Sequence, residues 1–447
     1  MHKKDTINDL SNYIWDDLKK STKREYLMPP DGILEELFDV LYFASMNSEE
    51  GELIKVRVAF FNPNIPEGFR RAKSIERFNY VPFGKPIPYD VKSIVKLSKS
   101  ADPWSSSLAV YFDENNKLNV YGLIDQAVHS ESYFNRETST KPEQAGFFQV
   151  SIIGIGSLSV IREYDLVATF KQNKLVTQFL DVLRFGPIAL LLKDKAKDFE
   201  RSVLKFVKDN EFENEDRTFN NKIHIAWRDT LARLLIHIRN YGHGGAFLIS
   251  RKTEGLKINY PIEYERLSDS MLRYVKANVA DEFMRDQIDQ LKGRTLERRL
   301  FNEYFVASNR KQSAEKELKG AIRFIASHSC VDGLILFDDM LCEVGYGVVV
   351  EEINTPKVIY QAVDNVATDS GLEPRNPKQF GTRHQSMISY CYANEGAIGF
   401  VVSQDGDIRA FTRVDKKLIM WDSINTHKYV KTIRGRIKMP ASMLKSL

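Results

Sequence analysis

Apolar residues in the first part of the chain form short runs or alternate with polar ones, a pattern typical of β-strands. The stretch SSLAVYFDENNKLNVYGLID places two such runs around Asn115-Asn116, which predicts a β-hairpin. The stretch GFFQVSIIGIGSLSVIREYDLVATFKQNKLVT repeats this pattern. One amphipathic helix precedes the strands, because apolar residues recur every four positions at Leu10, Ile14 and Leu18. These signals predict a β-rich N-terminal domain over residues 1–210.

The next part of the chain begins with a charged, asparagine-rich stretch at 211–221, which predicts a linker. A run of apolar residues at helical spacing follows, at Ile223, Trp227, Leu231, Leu234, Leu235 and Ile238. This helix is predicted to stop at Gly242 and Gly244-Gly245, before the apolar strand AFLIS. A helix, a glycine turn and an apolar strand in succession are typical of α/β domains.

Further helices are predicted from about Leu267 to Ile325. Strands are predicted at VDGLILFDD, LCEVGYGVVV and GAIGFVVSQDGDIRAF, and the last forms a hairpin around Asp405-Gly406. The sequence therefore predicts a second domain over residues 221–415, in which helices flank a mixed sheet. Residues 416–447 are predicted to form a C-terminal extension.

Composition and charge narrow the class of protein. A chain of 447 residues with 43% hydrophobic and 28% charged residues has the composition of an ordinary globular protein of about two domains. The net charge of +4 is too small for this length to indicate nucleic acid or a membrane surface as a partner. No apolar run reaches the length of a membrane span, and the charged N-terminus lacks a signal peptide. We therefore expect a cytoplasmic protein, and the three cysteines are expected to be reduced thiols.

Three short segments carry candidate chemistry. Asp332 and Gly333 open a buried strand, where a carboxylate beside a glycine suits the close approach of a ligand. Thr382 is a predicted helix N-cap after Gly381, and Arg383 and His384 follow in the first turn, where free backbone N–H groups favour an anion. Two cationic residues there oppose the helix dipole, which indicates a phosphate or carboxylate ligand among them. A turn aspartate and a surface arginine paired with a local acid are the alternative interpretations.

The third segment is VVSQDGD, in which Ser403 ends a buried strand next to a hairpin turn. Its hydroxyl group is predicted to face outward there. Taken alone, this serine indicates almost nothing about function.

The order of these segments resembles the diadenylate cyclase (DAC) domain, the catalytic domain of bacterial enzymes that make cyclic di-AMP from two ATP molecules. The resemblance rests on HGGAFLIS, VDGLILF, GYGVVV, FGTRHQSMISY and AIGFVVSQDGDIRAF. The family motifs Asp-Gly-Ala and Gly-Thr-Arg-His-Arg correspond here to Asp332-Gly333-Leu334 and to Gly381 through Gln385. The interval between GGAFLIS and the Asp-Gly motif is longer than in the family, which predicts a helical insertion at about 268–313.

The resemblance implies a role for each matching residue. Asp332 would hold a catalytic Mg²⁺ or Mn²⁺ ion and activate the ribose 3′-hydroxyl group, and Gly333 would let the backbone approach the nucleotide. The nucleotide-binding set would further contain Leu334, Gly381, Thr382, Arg383, His384, Gln385 and Ser403. Phosphoryl transfer requires metal and cationic groups around the phosphates. Catalysis in the family also requires two facing domains, so a homodimer is implied.

Two substitutions weaken the catalytic interpretation. Leu334 is bulkier than the alanine of the family and is expected to crowd the nucleotide. Gln385 replaces a charged, bidentate phosphate ligand with a neutral amide, at a cost to the transition state on the order of 2 to 4 kcal/mol. Thr382 and Gln385 also have the spacing of a capping box, which predicts that Gln385 bonds to the Thr382 amide and serves the helix.

Three functions follow from this comparison. The first is a sensor that binds an adenine nucleotide or a cyclic dinucleotide, because the anion-binding residues are kept while the catalytic set is altered. Bacterial DAC-like proteins of similar architecture are thought to act as nucleotide sensors, some of them in phage defence. The second is an active diadenylate cyclase, and the third is a scaffold that binds no nucleotide.

Overall fold

The computed structural model describes residues 4–20, 28–64, 78–102, 105–126, 143–163, 165–210, 219–290, 298–351, 354–404, 406–424 and 426. Most of the predicted linker, at 211–218, and Asp405 of the predicted hairpin turn lie outside these residues. Contacts between Cα atoms divide the chain into two compact units at Gln178 and Phe179, and all described residues up to Gln178 belong to the first.

The first unit contains three helices and ten strands among its described residues. The helices are α1 (Ile7–Lys19), α2 (Ile33–Ala44) and α3 (Val91–Leu97). The strands are β1 (Ser48–Glu49), β2 (Glu52–Leu53), β3 (Arg57–Phe60), β4 (Asn79–Pro88), β5 (Ser106–Phe112), β6 (Leu118–Asp125), β7 (Gln149–Gly154), β8 (Ser157–Arg162), β9 (Asp165–Lys171) and β10 (Lys174–Val176).

Eight of these strands form one sheet in the order β10-β9-β8-β7-β3-β5-β6-β4. Only the β3 and β5 pair is parallel among the strand pairs that the structure describes in this sheet. The predicted hairpin around Asn115-Asn116 joins β5 to β6, and Asn116 takes the left-handed conformation with φ of 59°. The predicted β-rich N-terminal region is therefore confirmed.

Helix α1 begins with a capping box, since Thr6 and Asp9 each bond to the backbone amide of the other. Its predicted stripe of leucine and isoleucine is buried, and it packs in one cluster with α2 and with the inner face of the sheet. Each such side chain stabilises the fold by about 1.5 to 3 kcal/mol when it is fully buried. The cluster includes Leu10, Ile14, Leu18, Phe38, Leu41, Val58, Phe60 and Val150.

The second unit contains six helices and nine strands among its described residues. The helices are α4 (Pro187–Lys195), α5 (Lys197–Asp209), α6 (Phe219–Asn240), α7 (Arg266–Gln290), α8 (Arg298–His328) and α9 (Thr382–Ala393). The strands are β11 (Gly245–Ile249), β12 (Leu256–Tyr264), β13 (Leu334–Phe337), β14 (Glu343–Val350), β15 (Ile359–Ala362), β16 (Leu372–Arg375), β17 (Ile398–Val402), β18 (Ile408–Val414) and β19 (Lys417–Trp421). Helices α7 and α8 occupy the range of the predicted helical insertion.

These nine strands form a mixed sheet in the order β12-β14-β13-β11-β17-β18-β19-β15-β16. Side chains alternate between its faces, so Phe247 and Ile249 join the cluster that contains α4 to α8, whereas Ala246 and Leu248 join the cluster under α9. Helices therefore cover both faces of the sheet. The predicted mixed α/β class is confirmed.

The division between the units differs from the predicted boundary at 211–221. Helix α5 buries the stripe Phe199, Val203 and Val207 in the core of the second unit, and the Phe199 ring meets the Trp227 ring edge to face at 6.2 Å. Strand β19 pairs with β18 and β15, although its residues fall in the predicted C-terminal extension. Both segments are rich in charge, but each also carries apolar residues. These apolar residues pack in the core of the second unit, which explains why both segments belong to it.

No helix in the described ranges combines the length and the apolar character needed to cross a membrane.

Candidate functional site

Asp332 and Gly333 lie in the turn between α8 and β13. The Asp332 side chain is fully exposed to solvent, with a relative accessibility of 108%. Gly333 has φ of 114°, and a Cβ atom there would lie 2.5 Å from the carbonyl carbon of Gly347 on β14. The neighbouring strand therefore already requires a glycine at this position, whether or not a nucleotide approaches it.

Leu334 begins β13 opposite Val348 of β14. Only 3% of its surface is exposed, and it packs in the apolar cluster under α9 with Met387 and Ile388. Its bulk therefore belongs mostly to the core at the base of the site.

Helix α9 begins one residue earlier than its sequence suggests. Gly381 is the N-cap, with an extended backbone and no side-chain cap, and Thr382 is already the first helical residue. The predicted cap by Thr382 is therefore wrong. The reason lies in the preceding 3₁₀ turn, Pro377–Gln379, which brings the chain into the helix at Gly381. The first amides of α9 still lack intrahelical partners, as the anion-binding prediction requires.

Gln385 does not complete a capping box either. Its side-chain amide donates to the carbonyl oxygens of Pro377 and Phe380, the latter at 3.2 Å, while its backbone N–H bonds to the Gly381 carbonyl oxygen. The prediction that the Gln385 side chain bonds to the Thr382 amide is thus wrong, because its partners are the two carbonyl oxygens. Gln385 instead ties the preceding turn to α9, and it does not line the cleft described below.

Arg383 projects from the first turn of α9 towards the start of β11. Its Nη1 atom donates to the His243 carbonyl oxygen at 3.2 Å, and its Nη2 atom lies 3.9 Å from Asp332 Oδ1. Gly244 has φ of 67°, and a Cβ atom there would lie 3.1 Å from Arg383 Nη1 and 2.9 Å from the Val402 carbonyl oxygen. The glycine turn after α6 therefore makes room for the arginine.

His384 is held from the side of β18. Its Nε2 atom lies 3.0 Å from Nη1 of Arg409, whose Nε donates to Asp422 Oδ1 at 3.1 Å. The rings of Phe380 and Phe411 lie on either side, with centroids 5.7 and 6.1 Å from the imidazole. Contacts with Arg409, Phe380 and Phe411 therefore help to hold the orientation of His384.

Ser403 lies at the end of β17, as predicted. Its Oγ atom accepts from the Asp407 N–H at 3.0 Å and donates to the Asp407 carbonyl oxygen at 3.2 Å. The hydroxyl group therefore closes the β17–β18 turn. Its oxygen has a second lone pair, which can accept a hydrogen bond from a ligand.

These segments meet at a cleft with a volume of about 740 Å³, which lies in the range of small-molecule sites. Valine side chains of two strands form its apolar part, and Val349 among them is 45% exposed. The predicted site residues that line it are Asp332, Gly333, Leu334, Gly381, Thr382, Arg383, His384 and Ser403. The structure thus brings together every predicted site residue except Gln385.

In the described part of the chain, the charged side chains that line the cleft are the Asp332 carboxylate and the Arg383 guanidinium. Within the described ranges, no cluster of three or more His, Cys, Asp and Glu side chains is placed to hold a metal ion. Asp332 is the one carboxylate among the lining residues that the structure describes, so these residues would leave most of the ligands of a Mg²⁺ or Mn²⁺ ion to water and to phosphate oxygens. Such shared coordination is usual for Mg²⁺ in nucleotide-binding sites.

Two residues at the site were not predicted from the sequence. Arg409 lies on an ordinary alternating strand, and no local pattern distinguishes it from a solvent-exposed arginine. Gly244 was recognised as a helix stop, yet its contact with Arg383 depends on strand pairing that no short segment reveals.

Comparison with known families concerns the other unit. Residues 23–125 match a family model described as the probable sensor domain DACNV. The matched range contains α2, α3 and β1 to β6 and lies within the first unit. No curated protein matches the chain. The N-terminal part of this chain is thus similar to a probable sensor domain.

Proposed function

We propose that the cleft of the second unit binds an adenine nucleotide or a cyclic dinucleotide, and that the chain acts as a nucleotide sensor. The observation that carries this proposal is the convergence of three distant segments on one cleft. These segments are the start of β13, the start of α9 and the end of β17, and they contribute Asp332, Arg383 and Ser403. They supply a carboxylate, a guanidinium group, a hydroxyl group and free helix amides next to an apolar wall.

Two features favour sensing over catalysis. Gln385 bonds to backbone carbonyl groups outside the cleft, so position 385, where the DAC motif has an arginine, contributes no charged phosphate ligand to the cleft of this chain. The similarity of residues 23–125 to a probable sensor domain supports the same function for the whole chain. A role in bacterial second-messenger signalling or phage defence follows from the resemblance to DAC-like proteins.

An active diadenylate cyclase is the second candidate. The fully exposed Asp332 side chain favours it, because a carboxylate open to solvent at the edge of the cleft can reach a metal ion and a nucleotide. Residues of this chain would then orient ATP through Arg383 and the amides of α9, while a Mg²⁺ or Mn²⁺ ion held by Asp332 would polarise the phosphates. A second copy of the chain would have to supply the other ATP.

Binding is tested by thermal shift and calorimetry with ATP, AMP, cyclic AMP and cyclic di-AMP. Arg383→Met is expected to weaken binding at least tenfold, because the variant loses the charge-assisted contact of the cleft. Arg413→Met is the matched control, since Arg413 donates to the Tyr392 carbonyl oxygen and to Glu395 and does not line the cleft. Absence of binding by every nucleotide, or equal affinity in the two variants, contradicts the proposal.

Catalysis is tested with ATP and Mg²⁺ or Mn²⁺, followed by chromatography of the products. Nucleotide binding without a dinucleotide product is expected for a sensor. Formation of cyclic di-AMP that is abolished in Asp332→Asn would establish the cyclase instead.

A further inference from the structure

Arg409 makes four contacts that fix it beside the cleft without lining it. Its guanidinium group donates to Asp422 at 3.1 Å, lies 4.0 Å from Asp407 Oδ2 and covers the Phe380 ring at 5.9 Å from the centroid. Its Nη1 atom lies 3.0 Å from Nε2 of His384. The side chain is 20% exposed, so these contacts are largely shielded from water.

The chemistry of the two groups determines which of them donates in the contact between Arg409 and His384. A guanidinium group has five N–H donors and no acceptor, and it stays protonated in proteins. His384 Nε2 must therefore accept, so its proton resides on Nδ1 and the imidazole is uncharged while the bond persists. The Arg409 charge itself is balanced by the carboxylates of Asp407 and Asp422.

This arrangement limits the positive charge that a ligand meets in the cleft. His384 contributes none, and among the described lining residues Arg383 is the one cationic side chain, with Asp332 3.9 Å away. A triphosphate carries several negative charges, whereas a phosphodiester carries one. A single arginine beside a carboxylate matches the phosphodiester, because every unmatched phosphate charge would be desolvated without a partner.

We propose that Arg409 is a positioning residue that keeps His384 uncharged, and that the cleft thereby selects phosphodiester ligands, such as a cyclic nucleotide, over triphosphates. This inference rests on the proposed nucleotide-binding function and specifies its ligand class.

The position of the His384 proton is measured by NMR of the ¹⁵N-labelled imidazole, assigned with His384→Gln. In the wild type, Nε2 is expected to give the shift of an unprotonated nitrogen throughout pH 6 to 8. Arg409→Met is expected to let the ring titrate in this range, near the ordinary pKa of histidine of about 6.5. Among the described residues, the charged groups near the ring are then Arg383, the preceding residue of its helix, and the carboxylates of Asp407 and Asp422, which contact Arg409 in the wild type.

Two variants separate positioning from general packing. Arg409→Lys keeps a group that can only donate and is expected to restore the wild-type spectrum. Arg413→Met removes an arginine from the same strand that does not contact His384, and it is expected to leave the spectrum unchanged. An imidazole that titrates alike in the wild type and in Arg409→Met overturns the proposal.

Selectivity is measured by calorimetry in EDTA with cyclic AMP, cyclic di-AMP and ATP. The wild type is expected to bind a phosphodiester at least tenfold more tightly than ATP. In Arg409→Met, affinity for ATP relative to the phosphodiester is expected to rise about fivefold to tenfold from pH 8 to pH 6, as His384 becomes a second cation. Data from Arg413→Met correct for titration of the terminal phosphate of ATP.

Tighter binding of ATP than of every phosphodiester to the wild type overturns the proposal but leaves nucleotide binding intact. If the wild type binds no nucleotide, the proposed function fails, and the selectivity proposed here fails with it. The NMR spectra then still decide whether Arg409 positions His384.

Discussion

The two ends of β13 carry aspartates with opposite environments. At the start of the strand, Asp332 is fully exposed and its nearest described cationic partner, Arg383, lies 3.9 Å away. Beyond the other end, Asp339 is 8% exposed and forms ion pairs with Lys195 and Arg251. A carboxylate surrounded by cations has its charge satisfied within the protein, whereas an exposed one remains open to a ligand. The comparison separates a structural acid from a candidate functional one.

The same difference extends to the groups nearby. Glu343, which pairs with Phe337 at the end of β13, is buried and bonds to His328 Nδ1 at 2.7 Å. At the start of the strand, by contrast, the polar groups of Thr382, Arg383 and Ser403 converge on a cleft. One end of β13 thus stabilises the fold, and the other end presents polar groups to solvent.

The largest expected effect is the loss of stability in Asp339→Ala. This variant leaves Lys195, whose side chain is 10% exposed, as a buried charge without its main partner. Breaking a buried pair in this way costs about 3 to 5 kcal/mol of unfolding free energy. Urea unfolding followed by fluorescence measures the change.

Asp332→Ala is the matched control for that experiment. Because the Asp332 carboxylate is fully exposed, its removal is expected to change the unfolding free energy by less than about 0.5 kcal/mol. Equal destabilisation by the two variants would contradict the distinction between the two ends of β13.

Gln385→Ala is expected to have the next largest effect, at the cleft end of the strand. The variant loses the bonds to the Pro377 and Phe380 carbonyl oxygens and is expected to lower the unfolding free energy by about 1 to 2 kcal/mol. Gln379→Ala, in the same turn but exposed, is the control. Gln385→Arg is expected to give no gain in affinity for triphosphates, because position 385 faces the turn and not the cleft. A gain would show that the longer side chain reaches the cleft.

Local sequence signals predict much of this fold. The spacing of Leu10, Ile14 and Leu18 predicts α1, and the Asn115-Asn116 turn predicts the hairpin of β5 and β6, because both patterns reflect neighbours in the chain. The site segments were also predictable, since a polar residue at the start of an apolar strand or helix is a local feature. The boundary between the units differed from the predicted one. The apolar stripe of α5 indicates that one face of the helix is buried, but it does not indicate which domain buries that face.

The details of the site depend on contacts that no short segment reveals. A Thr-x-x-Gln pattern predicts a capping box only if the threonine is the N-cap, and a shift of one residue to Gly381 gives Gln385 different partners. Arg409 reaches His384 because β17 and β18 pair beneath α9. Both features arise from the packing of elements, so periodicity and spacing could not predict them.

A smaller effect is expected in the pH dependence of the unfolding free energy, at the end of β13 that lies beside Glu343. Burial raises the pKa of Glu343, and the bond to His328 offsets part of this increase. The folded protein therefore holds the Glu343 proton more tightly than the unfolded chain does. Stability contributed by the protonated group is present below the ordinary carboxyl pKa of about 4.3 and is lost as the pH rises through the higher folded value.

The measurement compares unfolding free energies of the wild type and Glu343→Gln from pH 4 upwards. The difference is expected to shift in favour of the variant as the pH rises, since an amide cannot ionise. Parallel curves for the wild type and Glu343→Gln would show that burial at this end does not disfavour the charged form.

Cysteine labelling compares the two ends of β13 with the least change to the protein, because it requires no mutation. Cys330 is exposed in the turn before the strand, whereas Cys342 follows it. Burial, and then the nearby charge of Asp338, raise the pKa of Cys342 to about 12. At pH 8 only about one in 10⁴ of its side chains is then the reactive thiolate. Iodoacetamide is therefore expected to modify Cys330 well before Cys342.

Peptide mass spectrometry over a time course measures both rates in one sample, and Cys391 serves as the internal reference. Cys391 is fully buried under the sheet, and burial raises its pKa, so it should react only after unfolding. Labelling in urea should modify all three thiols at similar rates. If Cys342 reacted as fast as Cys330 in the folded protein, the end of β13 that carries Asp339 would be open to solvent, and the buried ion pairs there could not stabilise the fold as argued.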